Sequence, residues 1–239
     1  MNAASTIKGK TAVVTGAGRG IGRAIARRLG ALGANVVIAS RTSEQLEETR
    51  RSIERDGARA LAVVADVTDA EDVDRLMSAT DSLFGGVDIL VNNAGFAPMG
   101  PIEEMEPPLF DRIIATNIRS VHLCTRAAWP HLARGGGVVV NISSVAAYDP
   151  LEGLAVYGAA KAFVNAYTRS LAAEGKAAGI RVYGVAPGAV ETGMLRGLLP
   201  DYPAEKTLEP DEVAALVELL LAPACRYVSG QTLVINKDA

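Results

Sequence analysis

Thr11-Ala12-Val13-Val14-Thr15-Gly16-Ala17-Gly18-Arg19-Gly20-Ile21-Gly22 decides the fold. Its first five residues make an apolar run of strand length. Four glycines follow, and Ile21, Ala24, Ile25, Leu29 and Leu32 then recur with helical spacing until Gly33. Strand, glycine turn and helix together give a glycine motif a mechanism. Backbone without side chains approaches a pyrophosphate closely, and the helix N-terminus attracts its charge. An ordinary tight βα turn would use similar residues, but the Gly-x-x-x-Gly-x-Gly spacing after Thr15 favours a dinucleotide. Its candidate contacts are Gly16, Gly18, Arg19, Gly20 and Ile21.

The second strand, Asn35 to Ala39, ends at Ser40 and Arg41. Many NAD-binding domains hold the ribose 2′-hydroxyl with an acidic residue at this place. Here no carboxylate repels a 2′-phosphate and Arg41 is present to bind one, with Arg19 facing it from the glycine loop. NADP(H) is therefore expected over NAD(H), the alternative being that both arginines are solvated surface charges.

Strands and helices keep alternating, as in an α/β domain with a parallel sheet. A charged helix runs from Ser43 to near Gly57, then a strand from Arg59 to Val64. Asp66-Val67 at its end could meet an adenine amino group; Asp69 is the better cap for the helix reaching Phe84. The fourth strand, Val87 to Val91, runs into Asn92-Asn93-Ala94-Gly95, whose small residues leave room for a flat ligand. Beyond a proline-rich loop, Leu109 to about Ala133 reads as one helical region with Asn117 inside it. Ile180 to Val185 is a strand ending in Ala186-Pro187-Gly188-Ala189-Val190-Glu191-Thr192. Gly193 to Glu209 has no clean period and reads as a short mobile lid. A helix from Pro210 to Leu221 and a strand from Gln231 to Ile235 complete one domain over residues 1–239, with no internal repeat.

The chemistry lies between these parts. Val138-Val139-Val140 leads into Asn141-Ile142-Ser143-Ser144, and Tyr157 and Lys161 follow at helical i, i+4 spacing. A free tyrosine, with pKa about 10, is a weak acid or base at neutral pH. A nearby ammonium favours the phenolate and is expected to lower that value. A tyrosine so placed exchanges a proton with a carbonyl oxygen that a strand-end serine holds, where charge develops as hydride reaches carbon. Tyr202 and Lys206 repeat the spacing, but in a proline-containing loop with Ala189 in the upstream serine's place, so they are read as a decoy.

Composition narrows the alternatives. A length of 239 residues suits one α/β domain with a sizeable core. The net charge of −3 disfavours a nucleic-acid partner. Two cysteines and two histidines, without metal-ligand spacing, argue against a zinc site; Cys124 and Cys225 are expected to be inert in apolar helical surroundings. Met1 to Lys10 lacks the apolar region of a signal peptide and no run reaches membrane-spanning length. A soluble cytoplasmic protein without metal or membrane partner is expected.

From about Lys8 to Ile235 the chain resembles the short-chain dehydrogenase/reductase family. The residues that carry the resemblance are Thr15-Gly16-x-x-x-Gly20-x-Gly22, Asn92 to Gly95, Asn117, a serine thirteen residues before the tyrosine, Tyr157-x-x-x-Lys161, Pro187-Gly188 and Thr192. That spacing selects Ser144 over Ser143. The resemblance implies a doubly wound Rossmann-type sheet of seven parallel strands in the order 3-2-1-4-5-6-7, with helices on both faces. It implies Tyr157 as general acid, Lys161 on the nicotinamide ribose, Ser144 on the substrate oxygen and Asn117 supporting a proton-relaying water. Asn93, Ala94, Gly95, Pro187 and Gly188 fall to the cofactor, with Val190 and Thr192 at its carboxamide. A homotetramer or homodimer is implied as well. The stretch between Thr192 and Pro210 is shorter than in many relatives, which suggests an open site or a bulky or carrier-linked substrate. The C-terminus reads Val234-Ile235-Asn236-Lys237-Asp238 where relatives often have Asp-Gly-Gly.

The expectation is thus an NADP(H)-dependent reductase of a ketone or 3-oxoacyl thioester, most like the 3-oxoacyl-[acyl-carrier-protein] reductases. Met99, Leu151 and Met194 make the substrate loops apolar; Arg126, Arg134 and Lys176 are weak candidates for a basic carrier patch. An NAD-dependent alcohol, sugar or steroid dehydrogenase is the second reading, and a non-catalytic nucleotide sensor or scaffold the third.

Overall fold

A computed structural model describes residues 6–237. The signal-peptide reading of Met1 to Lys10 lies partly, and Asp238 wholly, outside them. Seven parallel strands form one sheet in the order β3-β2-β1-β4-β5-β6-β7. They are β1 (Thr11–Thr15), β2 (Asn35–Ser40), β3 (Ala60–Val64), β4 (Ile89–Asn92), β5 (Val138–Ile142), β6 (Arg181–Pro187) and β7 (Thr232–Ile235). The helices are α1 (Gly20–Ala31), α2 (Ser43–Arg55), α3 (Ala70–Phe84), α4 (Pro107–Ile114), α5 (Ser120–Ala133), α6 (Ala155–Gly175), α7 (Gly193–Leu198) and α8 (Pro210–Leu221).

The central strands are apolar on both faces because each face meets helices. Along β1, Ala12 and Val14 point into a core with Ile25 and Leu29 of α1 and Val217 and Leu220 of α8. Val13 points the other way, into a core with Leu76 of α3, Cys124 and Leu132 of α5 and Leu171 of α6. β5 repeats the alternation, with Val138 and Val140 on the first face and Val139 on the second. This is the two-residue period of a pleated strand. Each fully buried leucine or valine here contributes about 1.5–3 kcal/mol by leaving water. Since β2 and β4 flank β1, the chain reverses direction across the sheet there, and a crevice opens at the C-terminal strand ends.

Three local readings change. The helical region holding Asn117 is α4 and α5 joined by a π-helical turn, Ala115–Arg119. The expected lid is partly helical: Thr192 caps α7, and Ala204–Lys206 forms a 3-10 turn. Backbone pairing of Val190 with Leu208 ties its two ends together. Cys225 sits in a 3-10 segment, Pro223–Val228, rather than in an α-helix. Cys124 is buried, which pushes its thiol up to about 12 and leaves it unreactive. Asp69 accepts from Asp72 N at 3.0 Å and caps α3, as its position suggested. Among the described residues no helix is long and apolar enough to cross a membrane.

Candidate active site

The crevice begins at Gly16, which turns the chain out of β1 in the left-handed region (φ 64°). A side chain at Gly18 would meet Ser40 Oγ at 3.0 Å, so the glycine loop lies directly on the end of β2. No side chain caps α1, and its first turn holds no carboxylate. Its free N–H groups and positive end therefore suit a pyrophosphate. The cradle fits a dinucleotide on these observations.

β4 supports the loop from beneath. Asn93 Nδ2 donates to the carbonyls of Thr15 (2.9 Å) and Gly16 (3.2 Å). Thr15 Oγ1 in turn accepts from Asn93 N and Ala94 N at 3.0 and 3.1 Å. The sequence reading left Thr15 out of the candidate set, although a buried hydroxyl at a strand end was the available signal. Deeper still, Asn92 Nδ2 bonds Thr125 Oγ1 and Asn141 Oδ1, and Asn141 Nδ2 bonds Thr168 Oγ1. This buried amide ladder ties β4 and β5 to α5 and α6. Asn92 thus serves the frame, not a flat ligand.

Asn117 sits in the π-turn and is fully buried. Its Nδ2 donates to Phe96 O (2.7 Å) and Ile113 O (2.9 Å), and its Oδ1 accepts from Phe96 N (3.3 Å). Both amide donors are therefore occupied by the protein. One Oδ1 lone pair remains, beside Gly95, where Lys161 Nζ also approaches.

β5 delivers the reacting groups. Ser144 leaves the strand end in extended conformation and accepts from Ala146 N at 3.2 Å. Its hydroxyl is near enough to Tyr157 to favour the phenolate slightly. Ser143 faces away, its hydroxyl donating to Lys161 O at 3.2 Å. Lys161 Nζ donates to Ile142 O at 2.9 Å and lies 5.6 Å from the Tyr157 ring centre. An ammonium has three donors. Among the described residues Lys161 has no other hydrogen-bond partner, leaving two N–H bonds for a bound sugar. Tyr202 lies in irregular chain and Lys206 ends a 3-10 segment, and they share no helix face.

The charge states correct one expectation. Burial pushes the Tyr157 phenol above its ordinary value, and the nearby Ser144 hydroxyl offsets this in part; Lys161 does not pull it below. Burial instead holds Lys161 down at about 8. The unfolded chain thus binds more protons than the folded one between about pH 8 and 10.5, and stability rises with pH across that window. The shift is worth about 3 kcal/mol. Unfolding free energies of the parent and Lys161→Met, compared from pH 7.5 to 10.5, should show the parent gaining on the variant as pH rises. A difference independent of pH would mean that Lys161 is not held down.

Around the crevice, Pro187-Gly188 is pinned by Gly188 N donating to Ile235 O at 2.8 Å. Thr192 faces Gly20, whose Cβ would lie 3.1 Å from its methyl group. Val190 is buried, as is Val67, whose side chain belongs to the core beneath α3; only their backbones face a ligand. Ile21 packs partly on the first core. Arg19 and Arg41 are exposed at the outer end of the crevice. Asp66 is more occupied than its sequence position suggested. Its Oδ1 accepts from Thr68 N and Thr68 Oγ1, and its Oδ2 lies 3.8 Å from Arg41 Nη1.

A bare glycine cradle at a topological switch point, opposite a strand-end serine, a tyrosine and a buried lysine, defines a class: oxidoreductases of alcohol and carbonyl groups. Residues 10–203 match the family model described as short chain dehydrogenase, and the chain belongs to that family. It is 40% identical to 3beta-hydroxysteroid dehydrogenase 1 of Eggerthella lenta, over 96% of this chain and 93% of that one. Among solved structures it resembles a 3-ketoacyl-(acyl-carrier-protein) reductase of Brucella melitensis complexed with NADH, at 38% identity and TM-score 0.90, covering 97% of this chain and 98% of that one. A Burkholderia cenocepacia short chain dehydrogenase in complex with NADP matches at 35% identity and TM-score 0.90, covering 98% and 99%.

Proposed function

We propose that this protein is an NADP(H)-dependent reductase that converts a ketone or 3-oxoacyl thioester carbonyl to a hydroxyl. The observation that carries this reading is the gathering of three groups at the end of β5: Ser144 leaves the strand there, and Lys161 Nζ, bonded to Ile142 O at 2.9 Å, lies 5.6 Å from the Tyr157 ring centre. The phenol carries its proton at neutral pH and can give it up where negative charge develops on a substrate oxygen. The reduced nicotinamide, when bound, supplies the hydride that the carbonyl carbon receives. Ser144 holds the substrate oxygen, Tyr157 gives its proton to that oxygen, and the product is the neutral alcohol. Lys161 fixes the cofactor ribose through its two free N–H bonds and places a positive charge near the developing phenolate. Asn117 holds Gly95 and Phe96 in place, and its remaining lone pair suits a water that returns the proton.

The cofactor preference rests on Ser40, Arg41 and Arg19. Arg41→Ala is expected to weaken NADPH binding about 10- to 100-fold, the worth of one charge-assisted hydrogen bond, and to leave NADH binding nearly unchanged. Fluorescence titration with both nucleotides checks this; equal weakening of the two would remove the 2′-phosphate assignment. One observation favours a second reading, an NAD-dependent alcohol, sugar or steroid dehydrogenase: Asp66 already faces Arg41. In that case NADH binds more tightly than NADPH in the parent. A homotetramer or homodimer is also proposed, supported by exposed Phe110 on α4, Phe163 on α6 and Leu219 on α8.

A further inference from the structure

Two loops frame the mouth of the candidate site. One leaves Gly95 and reaches α4; the other leaves Ser144 and enters the helix of Tyr157. They touch where Gly100 N donates to Gly153 O at 3.0 Å and where Gly153 lies against the Met99 side chain. Met99, Ile102, Tyr148 and Leu151 on these loops, with Met194 on α7, are between 38% and 65% exposed. Large apolar side chains exposed together at a crevice mark a surface that a ligand covers.

The charge around that surface has one sign. Glu103, Glu104, Glu106, Asp111, Asp149 and Glu152 are exposed on the same two segments. Among the described residues none of them forms an ion pair. No Lys or Arg occurs in residues 93–111 or 143–160. Two neighbouring cations are engaged: Arg112 lies 4.2 Å from the Phe96 ring centre, and Arg196 pairs with Glu191 and donates to the carbonyls of Pro200 and Tyr202. Arg134 and Lys176, weak candidates for a carrier patch, follow α5 and α6 and precede β5 and β6. They therefore lie at the N-terminal strand ends, opposite the site. Arg134 also faces Asp81 at 3.6 Å.

We propose that the site takes an uncharged, apolar ketone and discriminates against thioesters of coenzyme A and of acidic carrier proteins. This narrows the proposed function and rests on its assignment of Tyr157. A thioester substrate places its acyl group at Tyr157 while its phosphates or carrier stay outside, at the mouth. There they meet unpaired carboxylates within the ~8 Å reach of charge at physiological salt. A neutral ketone meets only the apolar wall. The anionic dinucleotide avoids the rim, because its cradle lies across the crevice beside Arg19 and Arg41.

The test compares one 3-oxoacyl group as its coenzyme A thioester and as its neutral N-acetylcysteamine thioester, alongside a neutral cyclic ketone, with saturating reduced nicotinamide. The neutral substrates should be reduced with kcat/KM at least about tenfold above that of the coenzyme A thioester. That gap should narrow with added salt. In Glu103→Gln/Glu104→Gln/Asp149→Asn/Glu152→Gln the coenzyme A thioester should gain most of the difference while the cyclic ketone is unchanged. A coenzyme A thioester equal to or better than the neutral one overturns the proposal. So does a gap that neither salt nor the neutralised rim alters. Turnover of none of the three with either NADPH or NADH overturns the reductase reading itself.

Discussion

Tyr157→Phe is expected to lower kcat for carbonyl reduction by about 10²- to 10⁴-fold, the usual worth of a positioned general acid, with thermal stability and nicotinamide binding kept. The substitution removes one hydroxyl and leaves the ring in place. Burial raises the pKa of that hydroxyl. Without it the oxygen of the reducing carbonyl has a hydrogen-bond donor in Ser144 but no acid. Ser144→Ala is the companion measurement. It removes the hydroxyl that offsets the rise in the Tyr157 pKa, so a pH-rate profile limited by the phenol should move its alkaline limb upward as kcat falls. A Tyr157→Phe protein that reduces its substrate at the parent rate would remove the proposed acid.

Much of this site is legible from local pattern. β1, the glycine loop and α1 are contiguous, and the chemistry of a bare helix N-terminus needs no distant partner. Tyr157 and Lys161 share a helix face by spacing alone. The strands announce themselves because both faces of the sheet are covered, which leaves no polar alternation to confuse them. What remained hidden depends on tertiary contact. The π-turn at Asn117 shifts the helical phase locally, and its cause is the pairing of Asn117 with Phe96, a loop residue 21 positions earlier. α7 is too short to show a period and is specified by its Thr192 cap. Arg41 and Asp66 meet only because β2 and β3 are neighbours. The direction of the Tyr157 shift follows from burial, which only the packed fold supplies. Thr15 and Asn93 look like motif letters in the sequence; in three dimensions they form a latch between β1 and β4.

That latch gives the last expected result. Gly22→Ala should destabilise the protein by about 2–3 kcal/mol, in the range of an overpacked core, and weaken nucleotide binding by tenfold or more, ~1.4 kcal/mol. Gly22 is buried in the first turn of α1 with its Cα against the latch. An added methyl would collide with Asn93 Nδ2 and would lie 2.5 Å from the Gly16 carbonyl oxygen. The second obstacle is backbone and cannot rotate away. Relief requires α1 to move off the glycine turn or Asn93 to release the carbonyls of Thr15 and Gly16. Either movement displaces the N–H groups that suit a pyrophosphate. Gly18→Ala is the control. Its methyl would meet Ser40 Oγ at 3.0 Å and Gln45 Oε1 at 3.2 Å, which can rotate away, and Gln45 Cβ at 3.0 Å, a looser contact than the 2.5 Å at Gly22, so the loss of stability should be smaller. Thermal unfolding and NADPH titration of both variants measure the contrast. If Gly22→Ala melts with the parent and binds NADPH as tightly, the latch does not set the shape of the cradle.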